Sequence, residues 1–303
     1  MTDKDYSHFR CGYVAIIGRP NVGKSTLMNN ILHFKLSIVT PKPQTTRHKI
    51  LGIYNDDDSQ ILFLDTPGII DPKYKLQQYL VKAAETAAAD ADVVVFMIEA
   101  SEQANPADVE LLQEISASGK PILICINKID LIKKSLLLPL IDRYSKESGV
   151  REIIPISALK NDGIDDLVQS IKSYLPTGPP LYPTDQLTTI NERFLVSEII
   201  REKIFLLYGE EIPYSTTVQI EEFREQPGKK DYIRAAIVVE RDSQKGILIG
   251  KKGEALKRVG KLAREEIEFV LGRPVFLELV VVVRPKWRER DDLLKSLGYS
   301  RNP

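Results

Sequence analysis

A glycine-rich segment near the start of the chain has the residue types that bind a phosphate group. It fits the pattern G-x-x-x-x-G-K-S and consists of Gly18, Arg19, Pro20, Asn21, Val22, Gly23, Lys24 and Ser25, with Thr26 opening the helical pattern that follows. Glycines allow successive backbone N–H groups to turn toward one phosphate, and a helix N-terminus adds positive charge. We expect Lys24 to lie between the β- and γ-phosphates of a nucleotide, and Ser25 to ligate magnesium.

A second element, Asp65-Thr66-Pro67-Gly68, follows an apolar run at residues 60–64. Asp65 is suited to hold magnesium through a water molecule, and the backbone N–H of Gly68 is suited to contact the γ-phosphate. Taken alone, the four-residue pattern is equally typical of an ordinary turn. After a glycine-rich phosphate segment, it predicts that Lys24 and Gly68 take part in hydrolysis of the nucleotide.

A third element indicates which base is bound. Asn127, Lys128 and Asp130 follow the apolar run 122–126. A carboxylate only accepts hydrogen bonds, so Asp130 requires two donors; guanine offers them at N1–H and at its amine, and adenine does not. A buried carboxylate left unpaired would reject ATP. The methylene stem of Lys128 is suited to cover the base plane, and Asn127 to join neighbouring loops and contact the base.

Ser157 and Ala158 follow the run 152–156 and complete the series. Their small side chains allow the backbone N–H of Ala158 to approach the carbonyl oxygen of guanine. Because the carboxyl ends of parallel strands meet at one edge of a sheet, four elements in this order belong to one site. Together they predict a site for GTP and GDP with Mg²⁺.

The elements that must position these residues are short apolar runs that alternate with helical patterns. The runs are residues 13–17, 60–64, 93–98, 122–126 and 152–156, and the helical patterns include 75–88, 107–118 and 164–174. Runs that are apolar on both faces are typical of parallel strands covered by helices. The fold class predicted for residues 10–177 is therefore an α/β, doubly wound P-loop GTPase domain.

Composition sets broad limits on the rest. A length of 303 residues suggests two domains, and 42 basic residues balance 42 acidic ones, so the total charge indicates no polyanionic partner. Cys11 and Cys125 lack a metal-ligand spacing, which favours free buried thiols in a reducing compartment. No signal-peptide core or spanning helix is visible in the sequence. We expect a cytoplasmic monomer.

Residues 175–183 contain four prolines and one glycine, which cannot continue a helix or a central strand. Residues 178–190 are predicted to be an interdomain linker; the alternative is a surface loop within one domain. A helix at 191–207, strands at 215–222 and 232–240, two helical segments around 250–253 and a strand at 275–283 follow. The order αββααβ predicts a smaller α+β domain over residues 191–303, with a C-terminal tail, and resembles that of type II KH domains.

Gly250, Lys251, Lys252 and Gly253 form a G-x-x-G element between the two helical segments, preceded by Ile247 and Ile249. Glycine pairs often merely end a helix. Here the glycines would let a sugar-phosphate backbone approach, the lysines would meet phosphates, and bases would lie on an aliphatic groove containing the two isoleucines. From residue 245 to 264 the chain has seven basic residues and one acid. This favours single-stranded RNA over the alternative of a solvated helix face.

The nucleotide elements resemble those of the translation-factor-like GTPases, and residues 37–47 are similar to their first switch loop. The resemblance implies that Thr45 or Thr46, with Thr46 favoured, closes over magnesium and takes part in catalysis. One departure is Ile69, which stands where Ras-like proteins place a water-orienting glutamine. We therefore predict slow intrinsic hydrolysis. The resemblance also implies that Asn21 helps to hold a potassium ion near the phosphates. The alternative is that this asparagine only structures the loop.

With the second domain included, residues 13–287 resemble the Era family of GTPases. The shared features are Gln44–Arg47, Asp65–Gly68, the region 246–257, and the run from Val275 to Arg288. The resemblance implies binding to single-stranded RNA near the 3′ end of 16S rRNA and a role in assembly of the small (30S) ribosomal subunit. It also implies peripheral contact with the cytoplasmic face of the inner membrane.

Three hypotheses for function stay open at this point. The first is a GTP-driven switch in which loops around Thr46 and Gly68 alter presentation of the KH domain to RNA. The second is a GTPase that acts in RNA modification or another RNA process, with the C-terminal domain binding a partner; no second catalytic constellation follows Pro183. The third is an RNA-binding module with a vestigial nucleotide pocket, which the complete set of Lys24, Ser25, Asp65, Asn127 and Asp130 disfavours.

Overall fold

The computed structural model describes residues 6–299. The expectations for the N-terminal residues 1–5 and for the end of the tail, residues 300–303, lie outside the described residues. Within the described part, no helix is both long and apolar enough to cross a bilayer. Cys11 and Cys125 are buried free thiols, which confirms the prediction for them.

The first domain contains a six-stranded sheet in the spatial order β2-β3-β1-β4-β5-β6. Its strands are β1 (Arg10–Ile17), β2 (Ile50–Asn55), β3 (Ser59–Asp65), β4 (Val93–Glu99), β5 (Ile122–Asn127) and β6 (Val150–Pro155). All neighbouring pairs are parallel except β2 and β3, which are antiparallel. The doubly wound α/β prediction is therefore confirmed, and the carboxyl ends of β1, β3, β5 and β6 carry the four predicted nucleotide elements.

The edge strand β2 was missed by the sequence prediction, which found only the five parallel runs. Gly52 interrupts its apolar pattern, although a Cβ there would lie 2.5 Å from the Leu32 side chain, so the glycine allows β2 to pack closely. The three aspartates that follow, residues 56–58, form the turn into β3. A strand with a glycine in the middle and one half-exposed face gives a weak sequence signal.

Helices cover both faces of this sheet. They are α1 (Lys24–Leu32), α2 (Lys75–Asp90), α3 (Pro106–Ser116), α4 (Leu137–Ser145) and α5 (Ile164–Tyr174). One core lies between the sheet and α1 and α5, and a second lies between the sheet and α2, α3 and α4. The strands are buried from both sides, so their carboxyl-end loops are rigidly placed.

Residues 178–190 contain no helix or laddered strand, but they are held against the sheet. The amide of Gln60 accepts hydrogen bonds from the backbone N–H groups of Leu181 and Tyr182 at 2.7 and 2.9 Å. Ile53 N donates to Leu187 O at 2.8 Å, and the Thr188 hydroxyl donates to Leu51 O at 2.6 Å. The segment predicted to be a linker therefore lies along β2.

The second domain has a three-stranded sheet in the order β7-β8-β9, with β8 antiparallel to β7 and parallel to β9. The elements in chain order are α6 (Glu192–Leu207), α7 (Ile212–Ser215), β7 (Thr217–Arg224), β8 (Asp231–Val239), α8 (Asp242–Ile249), α9 (Glu254–Leu271), β9 (Val275–Val283) and α10 (Asp291–Ser296). The predicted αββααβ order is confirmed, with the short helices α7 and α10 in addition.

The C-terminal segment packs between the two domains. Trp287, Leu294 and Tyr299 form a buried cluster with Leu76 and Leu80 of α2. Near this cluster, the Asp291 carboxylate accepts hydrogen bonds from the side chains at both Lys75 and Tyr79, at 2.7 and 3.0 Å. Helix α2, which follows the Asp65–Gly68 element in the chain, is thus packed against the end of the second domain.

Candidate nucleotide site and nucleic-acid interface

The phosphate segment joins β1 to α1 in the way that its sequence pattern requires. Gly23 has φ +108°, and a Cβ there would lie 2.2 Å from Nδ2 of Asn127. Only glycine combines this backbone conformation with that close approach. Gly23 therefore allows the phosphate segment and the base-recognising element to pack directly against each other.

Lys24 is buried at the start of α1. Its Nζ donates hydrogen bonds to the carbonyl oxygens of Gly18 and Arg19, both at 2.9 Å. Burial lowers the pKa of Lys24 to about 8, although the nearby Asp65 carboxylate opposes that change. An anionic phosphate beside Lys24 would supply the counter-charge that this buried ammonium group lacks.

The three predicted magnesium ligands converge. Ser25 Oγ lies 2.9 Å from Thr46 Oγ1 and donates to Asp65 Oδ2 at 2.8 Å. The other carboxylate oxygen, Asp65 Oδ1, is buried and has no hydrogen-bond partner among residues 6–299. Burial raises the pKa of Asp65, and the nearby Ser37 hydroxyl, the Lys24 ammonium group and the Ser25 hydroxyl oppose that rise. Hydroxyl and carboxylate oxygens with one unsatisfied buried acceptor fit a hard divalent cation such as Mg²⁺.

The two adjacent threonines point to different partners. Thr46 faces Ser25, whereas the Thr45 hydroxyl contacts that of Thr40 at 2.6 Å and donates to Lys42 O at 2.7 Å. The geometry therefore favours Thr46 over Thr45 as the residue beside the cation. Asn21 Nδ2 donates to Pro41 O at 2.9 Å, so this asparagine links the phosphate segment to the loop of residues 37–47.

Asn127 organises the base-binding end of the site. Its Nδ2 donates to Val22 O at 2.7 Å, and its Oδ1 accepts from the backbone N–H of Ala158 at 2.8 Å. The Ser157 hydroxyl donates to Asp130 Oδ1 at 2.6 Å, which fixes the orientation of that carboxylate. One side chain of β5 thus connects the phosphate segment to the element that follows β6.

These elements surround one cavity of about 690 Å³. Of the predicted site residues, the cavity is lined by Pro20, Asn21, Gly23, Lys24, Ser25, Thr26, Thr46, Gly68, Asn127, Lys128, Asp130, Ser157 and Ala158. Gly18, Arg19, Val22, Asp65, Thr66 and Pro67 do not line it. Thr66 has a supporting contact instead, because its hydroxyl donates to Ile16 O at 2.8 Å.

The side chain of Arg19, a residue of the phosphate segment, is engaged outside the nucleotide cavity. Its guanidinium pairs with Asp108 of α3 through two hydrogen bonds, at 2.6 and 3.0 Å. Arg19 therefore points away from the cavity and contributes its backbone. Sequence reasoning also missed Glu99 at the end of β4, which lines the cavity and pairs with Lys128 Nζ at 2.8 Å. Its position at a strand end was the available signal.

In the second domain, the G-x-x-G element forms a tight exposed turn between α8 and α9. Gly250 and Gly253 have φ +69° and +77°, and Lys252 between them also has a positive φ, +53°. Lys251 and Lys252 are both exposed. The turn therefore presents two ammonium groups and a backbone without obstructing side chains.

The two isoleucines predicted to line an aliphatic groove, Ile247 and Ile249, lie in different surroundings. Ile247 is exposed and Ile249 packs on the domain core, because residues two apart on α8 point in different directions. A groove of about 540 Å³ instead runs from Gly253 along α9 and β9, lined by Leu256, Lys257, Gly260, Lys261, Arg264, Val275, Phe276, Leu277, Leu279 and Lys230. It is apolar at its floor and basic at its rim.

Helix α6 of the second domain contacts the loop that carries Thr46. Val39 N donates to Glu202 at 3.0 Å, and the Arg201 guanidinium, paired with Glu198, donates to Thr45 O. Lys42 Nζ donates to the carbonyl oxygens of Phe205 and Tyr208 at the C-terminal end of α6.

Arg47 extends this contact. Its guanidinium is buried, donates to Thr216 O at 2.8 Å and Pro213 O at 2.9 Å, and lies 5.6 Å from the Phe205 ring centroid. The loop of residues 37–47 therefore contacts the nucleotide cavity on one side and the second domain on the other.

Fold and site define the chain as a P-loop GTPase followed by a KH domain. Two family models agree with this class: one described as 50S ribosome-binding GTPase matches residues 13–128, and one described as KH domain matches residues 211–288.

Similarity to known proteins covers nearly the whole chain. GTPase Era of Geotalea uraniireducens is 50% identical over 99% of this chain and 100% of its own length. GTPase Era of Lacticaseibacillus paracasei is 48% identical, with coverage of 97% and 98%. The chain belongs to the Era family of GTPases.

Solved structures are equally similar. A single-substitution variant of Aquifex aeolicus Era bound to GDP·AlF4⁻ has a TM-score of 0.93 and 46% identity, with coverage of 96% of this chain and 100% of that one. Era in complex with MgGDPNP and nucleotides 1506–1542 of 16S ribosomal RNA has a TM-score of 0.93 and 47% identity, with coverage of 97% and 100%.

Proposed function

We propose that this chain is a GTP-hydrolysing switch that binds single-stranded RNA near the 3′ end of 16S rRNA and acts in assembly of the small ribosomal subunit. The observation that carries the proposal is the loop of residues 37–47. It contacts Ser25 through Thr46 and contacts α6 through Val39 and Lys42. A change in that loop with the nucleotide therefore reaches the RNA-binding domain directly.

At the phosphate end, residues 18–26 would surround the β-phosphate with backbone N–H groups, and Lys24 would neutralise the β- and γ-phosphates. Ser25, Thr46 and Asp65 would hold Mg²⁺, the last through water, consistent with their convergence. The bound cation would withdraw charge from the phosphate oxygens. The backbone N–H of Gly68 would contact the γ-phosphate.

At the base end, the Asp130 carboxylate would accept hydrogen bonds from N1–H and the amine of guanine. Its orientation by Ser157 supports this role. Ala158 lines the same cavity, and its backbone N–H, which donates to Asn127 Oδ1 in this structure, would donate to the guanine carbonyl oxygen once the nucleotide is bound. The Lys128 stem would cover the base plane. ATP would leave Asp130 without donors, so the site would discriminate strongly against it.

Hydrolysis would depend on positioning and charge more than on a side-chain base. Ile69 follows Gly68 and has no group that can orient water, and its backbone N–H donates to Gly18 O at 3.3 Å. Lys24, Thr46 and Gly68 would stabilise the charge that develops at the phosphate. We therefore expect slow turnover in the isolated protein.

The RNA would lie across the G-x-x-G turn and along the groove between α9 and β9. Lys251 and Lys252 would contact the sugar-phosphate backbone, and the apolar floor of the groove would receive bases. Phe276 lines this groove with its side chain 56% exposed, so it offers a face on which a base can stack.

Fluorescence anisotropy with a labelled RNA of the 16S 3′ sequence and a scrambled RNA tests the proposal. GTP-analogue-bound and GDP-bound protein should bind the 16S sequence with different affinities, and both should prefer it over the scrambled RNA. Lys251→Glu with Lys252→Glu should abolish RNA binding without changing GDP affinity. Lys133→Glu with Lys134→Glu, on a loop of the first domain, provides a charge-matched control. Equal binding of both RNAs would contradict the proposal.

Several finer points rest on the resemblance. We propose domains at residues 10–177 and 191–303, a linker at 178–190, and a monomer in the cytoplasm with peripheral contact to the inner membrane. Potassium beside Asn21 is a further proposal. The alternative is that Asn21 only links two loops, which its hydrogen bond to Pro41 O supports. GTP hydrolysis measured in potassium and in sodium tests it, and equal rates would contradict it.

A further inference from the structure

A large cavity outside the nucleotide site is a groove between α2 and α3. Its volume is about 910 Å³, compared with about 690 Å³ for the nucleotide cavity. Buried apolar residues form its floor, namely Ile17, Ala84, Leu111 and Ile115. Ile69, Ile70 and Val81 form its walls. A cavity of this size and composition is a binding surface that neither the GTP site nor the KH groove uses.

The groove exists because one wall has short side chains. Helix α2 contributes Ala84, Ala88 and Ala89, and α3 contributes Ala107 at the other side. Where two packed helices have larger side chains at such positions, those side chains fill the space between the helices. Here the alanines leave the space between α2 and α3 open, and an apolar groove between helices can receive a further helix.

The rim of the groove is acidic. Asp71, Glu85, Glu110 and Glu114 are all exposed, and within residues 6–299 none of these four carboxylates forms an ion pair. The single cation in the lining, Arg19, is already paired with Asp108 by two hydrogen bonds. The rim therefore has four uncompensated negative charges. It repels nucleic acid and attracts a cationic partner.

We propose that the groove between α2 and α3 binds a cationic amphipathic helix of a protein partner. Apolar side chains of that helix would occupy the floor between Ala84 and Ile115, and its Lys and Arg side chains would pair with the four rim carboxylates. This surface is separate from the KH domain, whose region 245–264 is basic. The two domains thus have opposite charge preferences, one for RNA and one for a basic protein.

The position of the groove relates it to the GTP site. Ile69, Pro20 and Arg19 line one end, and Ile69 directly follows Gly68. A Cβ at Gly68 would lie 2.6 Å from Pro20 N, so these two segments are in close contact. A helix bound in the groove therefore contacts the residue that stands in place of a water-orienting glutamine.

The test measures binding of a fluorescent peptide of about 14 residues, four helical turns, to full-length protein by anisotropy. The peptide has Leu at positions i, i+3, i+4 and i+7 and Lys at the exposed positions; a second has Glu in place of Lys, and a third is a scrambled form of the first. We expect binding of the first peptide alone.

Two variants locate the binding. Glu110→Lys with Glu114→Lys reverses half of the rim, and Ala88→Leu fills the groove without a change of charge. Each should weaken peptide binding about tenfold or more, as expected for loss of charge pairing or of apolar contact. Asp166→Lys with Asp185→Lys reverses two exposed acids elsewhere and should change it less than about twofold.

Thermal melts verify that every variant is folded, and GDP affinity and RNA affinity should remain those of the starting protein. Equal weakening by the control pair would show non-specific charge attraction and would overturn the proposal. Undiminished binding to the Ala88→Leu variant would overturn it as well, as would binding of the acidic peptide. Weaker RNA binding by the Ala88→Leu variant than by the starting protein would overturn the proposal too, because it would assign the groove to RNA.

Discussion

The carboxylate of Glu202 accepts a hydrogen bond from the backbone N–H of Val39, with 3.0 Å between Oε1 and N. Glu202 belongs to the first helix of the KH domain, and Val39 belongs to the loop that carries Thr46 beside Ser25. The nucleotide cavity and the RNA-binding domain are therefore one loop apart. This loop is the place to test how the two domains communicate.

Lys42 provides the first prediction. Its Nζ donates to the last carbonyl groups of α6, where a cation also interacts favourably with the helix dipole. Lys42→Ala should reduce the ratio of RNA affinities between the GTP-analogue and GDP states by about fivefold or more. Anisotropy with labelled RNA measures the ratio. Lys49→Ala, on a lysine outside this contact, should leave it unchanged, and an unaltered ratio in Lys42→Ala would refute the coupling.

The threonine pair provides the second prediction. Thr46→Val removes a hydroxyl 2.9 Å from Ser25 Oγ and should lower the rate of GTP hydrolysis about tenfold or more, with a higher Mg²⁺ concentration for the half-maximal rate. Thr45→Val is the matched control, since the Thr45 hydroxyl faces Thr40 and Lys42. A larger effect in Thr45→Val than in Thr46→Val would exchange their roles.

The third prediction is the pH dependence of nucleotide binding. The pKa of Lys24 is lowered to about 8 by burial, and phosphates beside it would raise that pKa again. Below pH 8, the Lys24 amine of the nucleotide-free protein is already protonated. Above pH 8, binding must take up a proton, so GDP affinity should fall toward about tenfold per pH unit between pH 8 and 9.

Titration calorimetry in two buffers of different ionisation enthalpy measures that proton uptake at pH 8.5. Lys24→Arg stays protonated in this range and should show no such dependence, whatever its absolute affinity. A constant GDP affinity from pH 7 to 9 in the unsubstituted protein would contradict the prediction.

The fourth prediction concerns stability at low pH. Burial lowers the pKa of His48 from 6.5 to about 4, while Glu198 raises it and Arg201 and Arg47 lower it. The unfolded chain takes up a proton near pH 6.5 and the folded chain does so only near pH 4. Stability is therefore complete above pH 6.5 and is lost as pH falls toward 4, by about 3 kcal/mol.

Urea unfolding at several pH values measures this loss. The ring of His48 stacks on that of Tyr299, with centroids 4.7 Å apart, so an aromatic replacement keeps the packing. His48→Phe should flatten the pH dependence between 6.5 and 4 relative to the unsubstituted protein. An equally steep loss in both proteins would assign it to other groups.

The nucleotide elements could be predicted from sequence because each is local. Residues 18–25 combine glycines with Lys24 and Ser25 in one short segment, and an apolar run, residues 13–17, precedes it. Strand β2 gave no such signal because Gly52 breaks its pattern. The partner of the Arg19 side chain could not be predicted either, since Asp108 lies 89 positions further along the chain.

Contacts between the domains could not be predicted from sequence, because the residues that meet lie far apart along the chain. Lys42 and Phe205 are 163 positions apart, and nothing in either local pattern indicates that they meet. The different surroundings of Ile247 and Ile249 could not be predicted from sequence, because they depend on how α8 packs on its sheet. The α9 and β9 residues that line the groove are ordinary apolar and basic residues in sequence.

The attachment of residues 178–190 along β2 determines how freely the KH domain can move. Thr188 makes the last hydrogen bond of this segment to β2 and α6 begins at Glu192, so the chain between these two residues spans at most about 14 Å. A released KH domain would remain at a high effective concentration near residues 37–47 and would rebind rapidly. The short connection would therefore make release and rebinding of the KH domain at residues 37–47 an intramolecular event.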